Sequence, residues 1–375
     1  MCRVFSIALA LFVFARQGLA QDAKPNTLTP KEIAAGWILV FDGETTFGWN
    51  VTGNLSIADG WLVIGGKEES SATLTTQFPW TCALWYEAYQ TIDSSDEREN
   101  PGVNLVEWKK NGARRESHTV LGKKPQLVTT GWDPQSDAVK STVKLYAPAG
   151  SKLYVRSLRL SCALKMSWFF NSKDLSGWKI HPGKKSEFAV IDGAINIKNG
   201  PGDLQTEKKF GDFCLQLECI SHGEHLNSGV FFRCRDGEYQ NGYEAQIRNQ
   251  FTAKPTQKYL LEEYDPMTHK LLGKKETLFT AVDFGTGAIY RRQPARKEVA
   301  KDKEWFTMTV VAHGNHFATW VNGIQVTDWY DNRPKSDNAR TGCRLEAGHI
   351  SLQGHDPTTN LSFKNIRIQE YPSAK

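Results

Sequence analysis

The sequence predicts an all-β protein built as two tandem sandwiches, and three observations lead there. Runs rich in Val, Ile, Phe and Trp alternate apolar and polar residues with period two, as half-buried strands do. Turn dipeptides punctuate them at Asp42-Gly43, Asp59-Gly60, Asn111-Gly112, Asp192-Gly193, Asp236-Gly237 and Asn322-Gly323. The chain also repeats itself. Phe41–Trp49 (FDGETTFGW) has an echo in Phe170–Trp178 (FNSKDLSGW), Ile57–Ile64 in Val190–Ile197, and Leu153–Leu160 in Leu361–Ile368. Short strands at such intervals favour a sandwich or jelly roll over an α/β plan, and a doubled pattern implies two copies. A length of 375 residues, beyond what one hydrophobic core usually serves, agrees.

Residues 1–20 read as a secretory signal peptide. Arg3 gives the positive end, Val4–Ala15 the apolar run, and Gly18-Leu-Ala20 the small residues before a cut. The run is too short for a membrane span and no later stretch qualifies, so a secreted or periplasmic protein is expected. Residues 21–35 form a linker and a short helix, begun by Thr29 as cap and Pro30 at the first position. The first sandwich is placed at 36–162 and the second at 167–372. A formal net charge of +5 without a dense Lys/Arg stripe argues against a nucleic-acid partner. Twelve tryptophans are many; most belong in cores, although flat aromatic faces also suit sugars. Six cysteines follow the signal segment, an even number that permits disulfides in an oxidising compartment but matches no zinc spacing.

Within the second copy, two strands around a hairpin connection carry an unusual polar face. On 243–247 and its continuation, Glu244, Gln246 and Arg248 point one way, and Tyr243, Ala245 and Ile247 the other. On 225–233, Asn227, Gly229, Phe231 and Arg233 share a face. Near the C-terminus, His349, Ser351, Gln353 and His355 share a parity opposite to Ile350 and Leu352. The first copy shows no counterpart of the Gly242–Ile247 strand, nor of the long segment 249–304, so chemistry is expected in the second.

Phe-Asn-x-x-Asp-Leu-x-Gly-Trp (170–178), Asn-Ser-Gly-Val-Phe-Phe-Arg (227–233) and Gly-Tyr-Glu-x-Gln-Ile (242–247) resemble the DUF1080, or 3-keto-disaccharide hydrolase, family. The likeness continues through Gly287–Tyr290, Trp320–Gly323 and Ile350–His355, and it covers essentially the whole second copy. The first copy looks like a divergent relative. The resemblance implies concanavalin A-like jelly rolls, a saccharide bound on the concave sheet, and action on glycosides whose C3 hydroxyl is oxidised to a ketone.

Such a ketone acidifies the C2 hydrogen, so a base can remove it and the enolate can expel the group on C1, with water adding afterwards. That route needs a base, a cation beside the enolate oxygen and a proton donor, not the two opposed carboxylates of ordinary glycosidases. Glu244, His355 and Arg233 are the expected catalytic residues. Asn227, Gln246, Arg248, Tyr290, Trp329 and Gln353 are the expected substrate contacts. No cofactor is demanded, but Glu244, Asp283, His355 and Asp356 could hold a divalent metal. Glu244 could instead serve only in a cross-strand ion pair with Arg233 or Arg248. The alternative for the whole protein is a non-catalytic, lectin-like sugar binder, since one fold serves both. In either case the expected partner is an oligosaccharide or glycoside.

Overall fold

A computed structural model describes residues 24–92, 100–130, 136–161 and 163–372. The expected signal peptide lies outside them. Helix α1 (Pro30–Ala34) starts as the sequence predicts. Thr29 accepts a hydrogen bond from the Glu32 amide (3.3 Å), and the Glu32 carboxylate accepts one from the Thr29 amide (2.8 Å). No helix among the described residues is long and apolar enough to cross a membrane.

Apart from short 3₁₀ turns such as Ala163–Lys165 and Val282–Phe284, the rest of the described residues form strands and connections. The first sandwich holds β1 (Ile38–Leu39), β2 (Trp49–Thr52), β3 (Leu55–Ala58), β4 (Trp61–Gly65), β5 (Ser70–Leu74) and β6 (Phe78–Pro79). It continues with β7 (Ala83–Gln90), β8 (Gly102–Lys109), β9 (Arg114–Val120), β10 (Gln126–Thr130), β11 (Ala138–Ala147) and β12 (Lys152–Ser161). The second begins with β13 (Ser167–Trp168), β14 (Trp178–Ile180), β15 (Glu187–Ile191), β16 (Ala194–Lys198), β17 (Gly202–Phe210), β18 (Phe213–Ser221), β19 (Ser228–Cys234) and β20 (Tyr243–Ile247). Then come β21 (Gln257–Tyr264), β22 (Leu271–Phe279), β23 (Phe306–His313), β24 (His316–Val321), β25 (Ile324–Tyr330), β26 (Gly348–Gly354) and β27 (Asn360–Glu370).

The two sandwiches share a strand order. One sheet runs β3-β4-β12-β7-β10 in the first and β15-β16-β27-β18-β23 in the second, which adds β24 and β25 at its edge. The facing sheets run β2-β5-β11-β8-β9 and β14-β17-β26-β19-β20. The strand expected to be missing from the first copy is therefore present: β9 takes the place of β20. Its outward residues have diverged, so the motif is gone while the strand remains. The segment 249–304 does set the copies apart, because it contains the separate hairpin β21-β22.

Alternation fixes which face is buried. Tyr243, Ala245 and Ile247 of β20, Val230 and Phe232 of β19, and Ile350 and Leu352 of β26 enter the core of the second sandwich. Across the gap they meet Phe213, Leu215 and Leu217 of β18 and Phe317 of β24. The outer face of that opposing sheet is not left to water. Cys214, Val311, Ala318 and Trp320 join the core of the first sandwich, where Trp320 Nε1 donates to the Leu39 carbonyl (3.0 Å). Arg296 pairs with Asp42 (2.6 Å) at the same junction. One face of the eight-stranded sheet is thus partly built into the first sandwich, and the outer face of the five-stranded sheet lies on the other side of the second sandwich. Cys219, Cys234 and Cys343 are buried free thiols, so the disulfides that the even count permits do not involve them.

Candidate functional site

Because Tyr243, Ala245 and Ile247 point inward, Glu244 and Gln246 must point out of the five-stranded sheet. A cavity of about 430 Å³ opens there, within the roughly 300–1,000 Å³ usual for small-molecule sites. Glu244 and Gln246 come from β20, Phe231 from β19 with Asn227 just ahead of it, and Gln353 from β26 with His355 just beyond. Tyr239 and Gln240 enter from the β19–β20 connection. Tyr290, Arg291 and Arg292 form one wall and Ala339 and Arg340 another. The first of these walls is an added edge to the sheet. Gly287 N–H donates to Gln246 O (2.8 Å), Gln246 N–H to Ala288 O (3.0 Å) and Tyr290 N–H to Glu244 O (2.9 Å).

Glu244 is the chemically exposed point of this arrangement although it is only 9% accessible. No described residue donates a hydrogen bond to its carboxylate. Burial pushes its pKa up to about 8, against the pull of the Arg340 and Arg291 guanidinium groups. Gly229 makes the position possible, since a Cβ there would collide with the Glu244 carboxylate. Around it, Asn227 Oδ1, Gln240 Nε2, Gln246 Oε1 and Gln353 Oε1 are buried without a partner among the described residues. Each such atom costs roughly 1–3 kcal/mol. All four belong to residues that line the cavity. Tyr239 stands beside them as a neutral phenol, its pKa raised to about 12 by burial and then by Asp203. Asp203 itself is fully buried and accepts from Ser351 Oγ (3.0 Å) and Gln205 Nε2 (3.1 Å), underpinning the floor.

A buried network holds the Arg340 wall against the Glu244 strand. The Tyr243 hydroxyl donates to Asp331 (2.7 Å) and accepts from the Arg344 amide (2.8 Å). Asp331 also takes a two-pronged grip from Arg333 (2.8 Å for each bond), which in turn donates to the carbonyls of Ala339 (2.8 Å) and Gly342 (2.9 Å). Arg340 then reaches the Gln240 carbonyl. On the other wall, Tyr259 of the β21-β22 hairpin stacks on Phe284 (4.0 Å), whose edge meets Tyr290 (5.3 Å).

Of the expected residues, Glu244, His355, Asn227, Gln246, Tyr290 and Gln353 line one cavity. Arg233 does not. A bulge in the β19–β26 pairing between Phe231 and Cys234 breaks the alternation, and Arg233 takes a left-handed backbone (φ 51°). Its side chain is completely buried elsewhere, bound to Asp212 (2.6 Å) and to the carbonyls of Gly314 (2.7 Å) and Arg344 (2.9 Å). The expected Glu244–Arg233 and Glu244–Arg248 ion pairs are therefore absent among the described residues. Arg248 lies beyond the end of β20, bound to the His225 carbonyl, Gln250 (2.7 Å) and Asp283 (3.5 Å). Trp329 packs against Phe317 (5.9 Å) and Tyr243 (6.5 Å), inside the wall instead of on it.

The four residues considered for a metal do not form one site. Asp283 belongs to Arg248, Asp356 accepts from or shares a proton with His355 Nδ1 (2.9 Å), and no group of three acidic, His or Cys ligands occurs among the described residues. With two arginines pulling on Glu244, the donor set does not fit a resident cation. Arg340, Arg291, Arg292, Tyr239 and Gln240 were not anticipated. They sit in irregular connections whose place in space no period reveals.

The first sandwich offers a contrast at the same position. By strand order and register, Gly102 of β8 corresponds to Gly229, and His118 of β9 to Glu244. A Cβ on Gly102 would collide with the His118 ring, as one on Gly229 would with Glu244. Here, however, the side chain is engaged: His118 Nδ1 meets Asn104 Oδ1 (2.8 Å), and Asn104 Nδ2 donates to Glu116 (2.7 Å). The cradle persists without an unpartnered carboxyl group.

Comparison with known proteins follows the same division. Curated proteins contain no match. Among solved structures, two proteins of Parabacteroides distasonis ATCC 8503 described as glycosyl hydrolases are 22% and 23% identical. They cover 55% of this chain in each case and 94% and 99% of their own, with TM-scores of 0.40 and 0.39. The carbohydrate binding module CBM66 of Bacillus subtilis is 14% identical, over 52% of this chain and 96% of its own, with a TM-score of 0.33. The sequence profile of the 3-keto-alpha-glucoside-1,2-lyase-like domain matches residues 166–369, the whole of the cavity-bearing sandwich. Since that match spans more than half of the chain, the protein belongs to the 3-keto-alpha-glucoside-1,2-lyase-like domain family.

Proposed function

We propose that the second sandwich cleaves glycosides that carry a ketone at C3, with Glu244 as the base. The observation that carries this reading is Glu244 itself: a buried carboxyl group without a hydrogen-bond partner, its pKa lifted to about 8, facing guanidinium groups and unpartnered amides. A base is most effective when its pKa lies near the working pH, and burial brings the Glu244 carboxyl toward that range. Glu244 takes the C2 proton, and the electron pair passes to O3 as an enolate, stabilised by Arg340 or Arg291. The enolate re-forms the ketone as the C1–O bond breaks, leaving a C1=C2 double bond. His355, oriented by Asp356, gives the departing oxygen its proton. Water adding at C1, with a proton returned to C2, completes a net hydrolysis. The orphaned amides of Asn227, Gln240, Gln246 and Gln353 bind the remaining hydroxyl groups.

The test is turnover of a chromogenic 3-keto-α-glucoside beside the unoxidised glucoside. The expected result is release from the ketone alone and none with Glu244→Gln. Binding of the ketosugar without release would sink the enzymatic reading in favour of a lectin-like one. Export belongs to the same proposal and rests on the pattern of residues 1–20. The N-terminus of the mature protein, expected at Gln21, checks it by mass spectrometry.

A further inference from the structure

A second depression, of about 360 Å³, lies where the two sandwiches join, and the chemistry above makes no use of it. Trp80, Trp168, Phe169, Lys165, Lys208 and Glu370 line it. Trp168, in the two-residue strand β13, is 63% exposed, the most exposed tryptophan among the described residues. Trp80 follows β6 in a left-handed backbone (φ 61°), a conformation unfavourable for a bulky residue, and its amide donates to the Val139 carbonyl (3.1 Å). Two indoles are thus brought to one depression from different sandwiches, one of them against local preference. Cations support the rings: Lys165 lies over Trp80 (4.5 Å), Arg367 over Trp168 (5.4 Å) and Lys208 over Phe210 (4.9 Å). Lys208 also pairs with Glu370, whereas Lys165 makes no ion pair among the described residues.

Flat aromatic rings beside hydrogen-bonding and charged groups match a pyranose, which has a C–H face and a rim of hydroxyl groups. We infer that this junction groove is a non-catalytic saccharide-binding site that holds a pyranose of a polysaccharide while the Glu244 cavity works elsewhere. Strand β17 links the two places. Pro201, beside its first residue, lines the catalytic cavity, and Lys208 and Phe210 at its far end line the groove. Eight residues of strand separate those ends by about 25 Å, so the two sites engage different sugar units. The inference rests on the saccharide reading of the protein but not on its catalytic step.

Affinity electrophoresis of the full-length mature protein tests it, in native gels cast with hydroxyethylcellulose, xylan, polygalacturonate or alginate. The wild type is expected to be retarded by at least one of them, and Trp168→Ala to bind about tenfold or more weakly. Melting temperature and turnover of the chromogenic 3-keto-glucoside should be unchanged in the variant, since Trp168 is exposed and far from Glu244. Retardation in the uronate gels that Lys165→Ala also weakens would assign the ammonium to a carboxylate; retardation in the neutral gels would assign it to hydroxyl groups. Trp168-dependent retardation in a protein without turnover would leave the groove standing and overturn the catalytic proposal alone. No retardation in any gel, or retardation equal in Trp168→Ala, would overturn the groove.

Discussion

Replacing Glu244 by Gln should stabilise the protein relative to the wild type by an amount that grows from about pH 4.5 to 8 and levels off above that. The folded pKa of about 8 lies above the ordinary 4.5, so between those values the native state holds a proton that the unfolded chain has lost. The stability tied to that proton is fully present below pH 4.5 and is lost as the pH rises through 8. Carrying a carboxyl pKa from 4.5 to about 8 corresponds to about 5 kcal/mol, with a slope of about 1.4 kcal/mol per pH unit inside the window. Gln cannot ionise and escapes this loss, whatever constant offset the amide introduces. Urea unfolding of both proteins at half-unit steps from pH 5 to 9 measures the difference. The wild type should lose about 4 kcal/mol relative to Glu244→Gln between pH 5 and 8 and little beyond. A difference that stays constant across that range would refute the buried, unpartnered state assigned to Glu244.

Three further substitutions probe the surroundings. Gly229→Ala places a methyl group against the Glu244 carboxylate, so turnover should fall about a hundredfold or more with the fold retained by circular dichroism. Near-normal turnover would show that the cradle is not needed. Tyr243→Phe removes the bond to Asp331 and the acceptor for the Arg344 amide, and denaturant titration should show a loss of about 1–3 kcal/mol. The loosened Arg340 wall should raise KM more than it lowers kcat. Arg233→Met strands Asp212 and three carbonyl groups and should cost about 3–5 kcal/mol, yet leave turnover per folded molecule intact at low temperature. A selective loss of kcat in that variant would return Arg233 to the catalytic group.

The sandwich plan, the doubled topology, the capped helix and the inward faces of β19, β20 and β26 were legible because each depends on a short period or a local turn. The outward placement of Glu244, Gln246 and Gln353 follows from the same alternation. That alternation misled at Arg233, where one extra residue in the β19–β26 pairing turns the side chain away, and nothing local announces the bulge. Arg248 was misplaced because the strand ends at Ile247. The missing strand of the first copy was a similar error, since β9 kept its pairing after its outward residues had changed. Arg340 and Arg291 were invisible for another reason. They reach Glu244 from connections anchored by long-range bonds, such as Tyr243 to Asp331, which span 88 residues of sequence.

A 3-keto-α-glucoside deuterated at C2 tests whether Glu244 removes the C2 proton before the C1–O bond is lost. Mass spectrometry of the released sugar should show the deuterium exchanged for solvent hydrogen with the wild type and no turnover with Glu244→Gln. Cleavage of the glycoside with the C2 deuterium fully retained in the product would mean that the C1–O bond breaks without loss of the C2 proton and would remove Glu244 from the role of base.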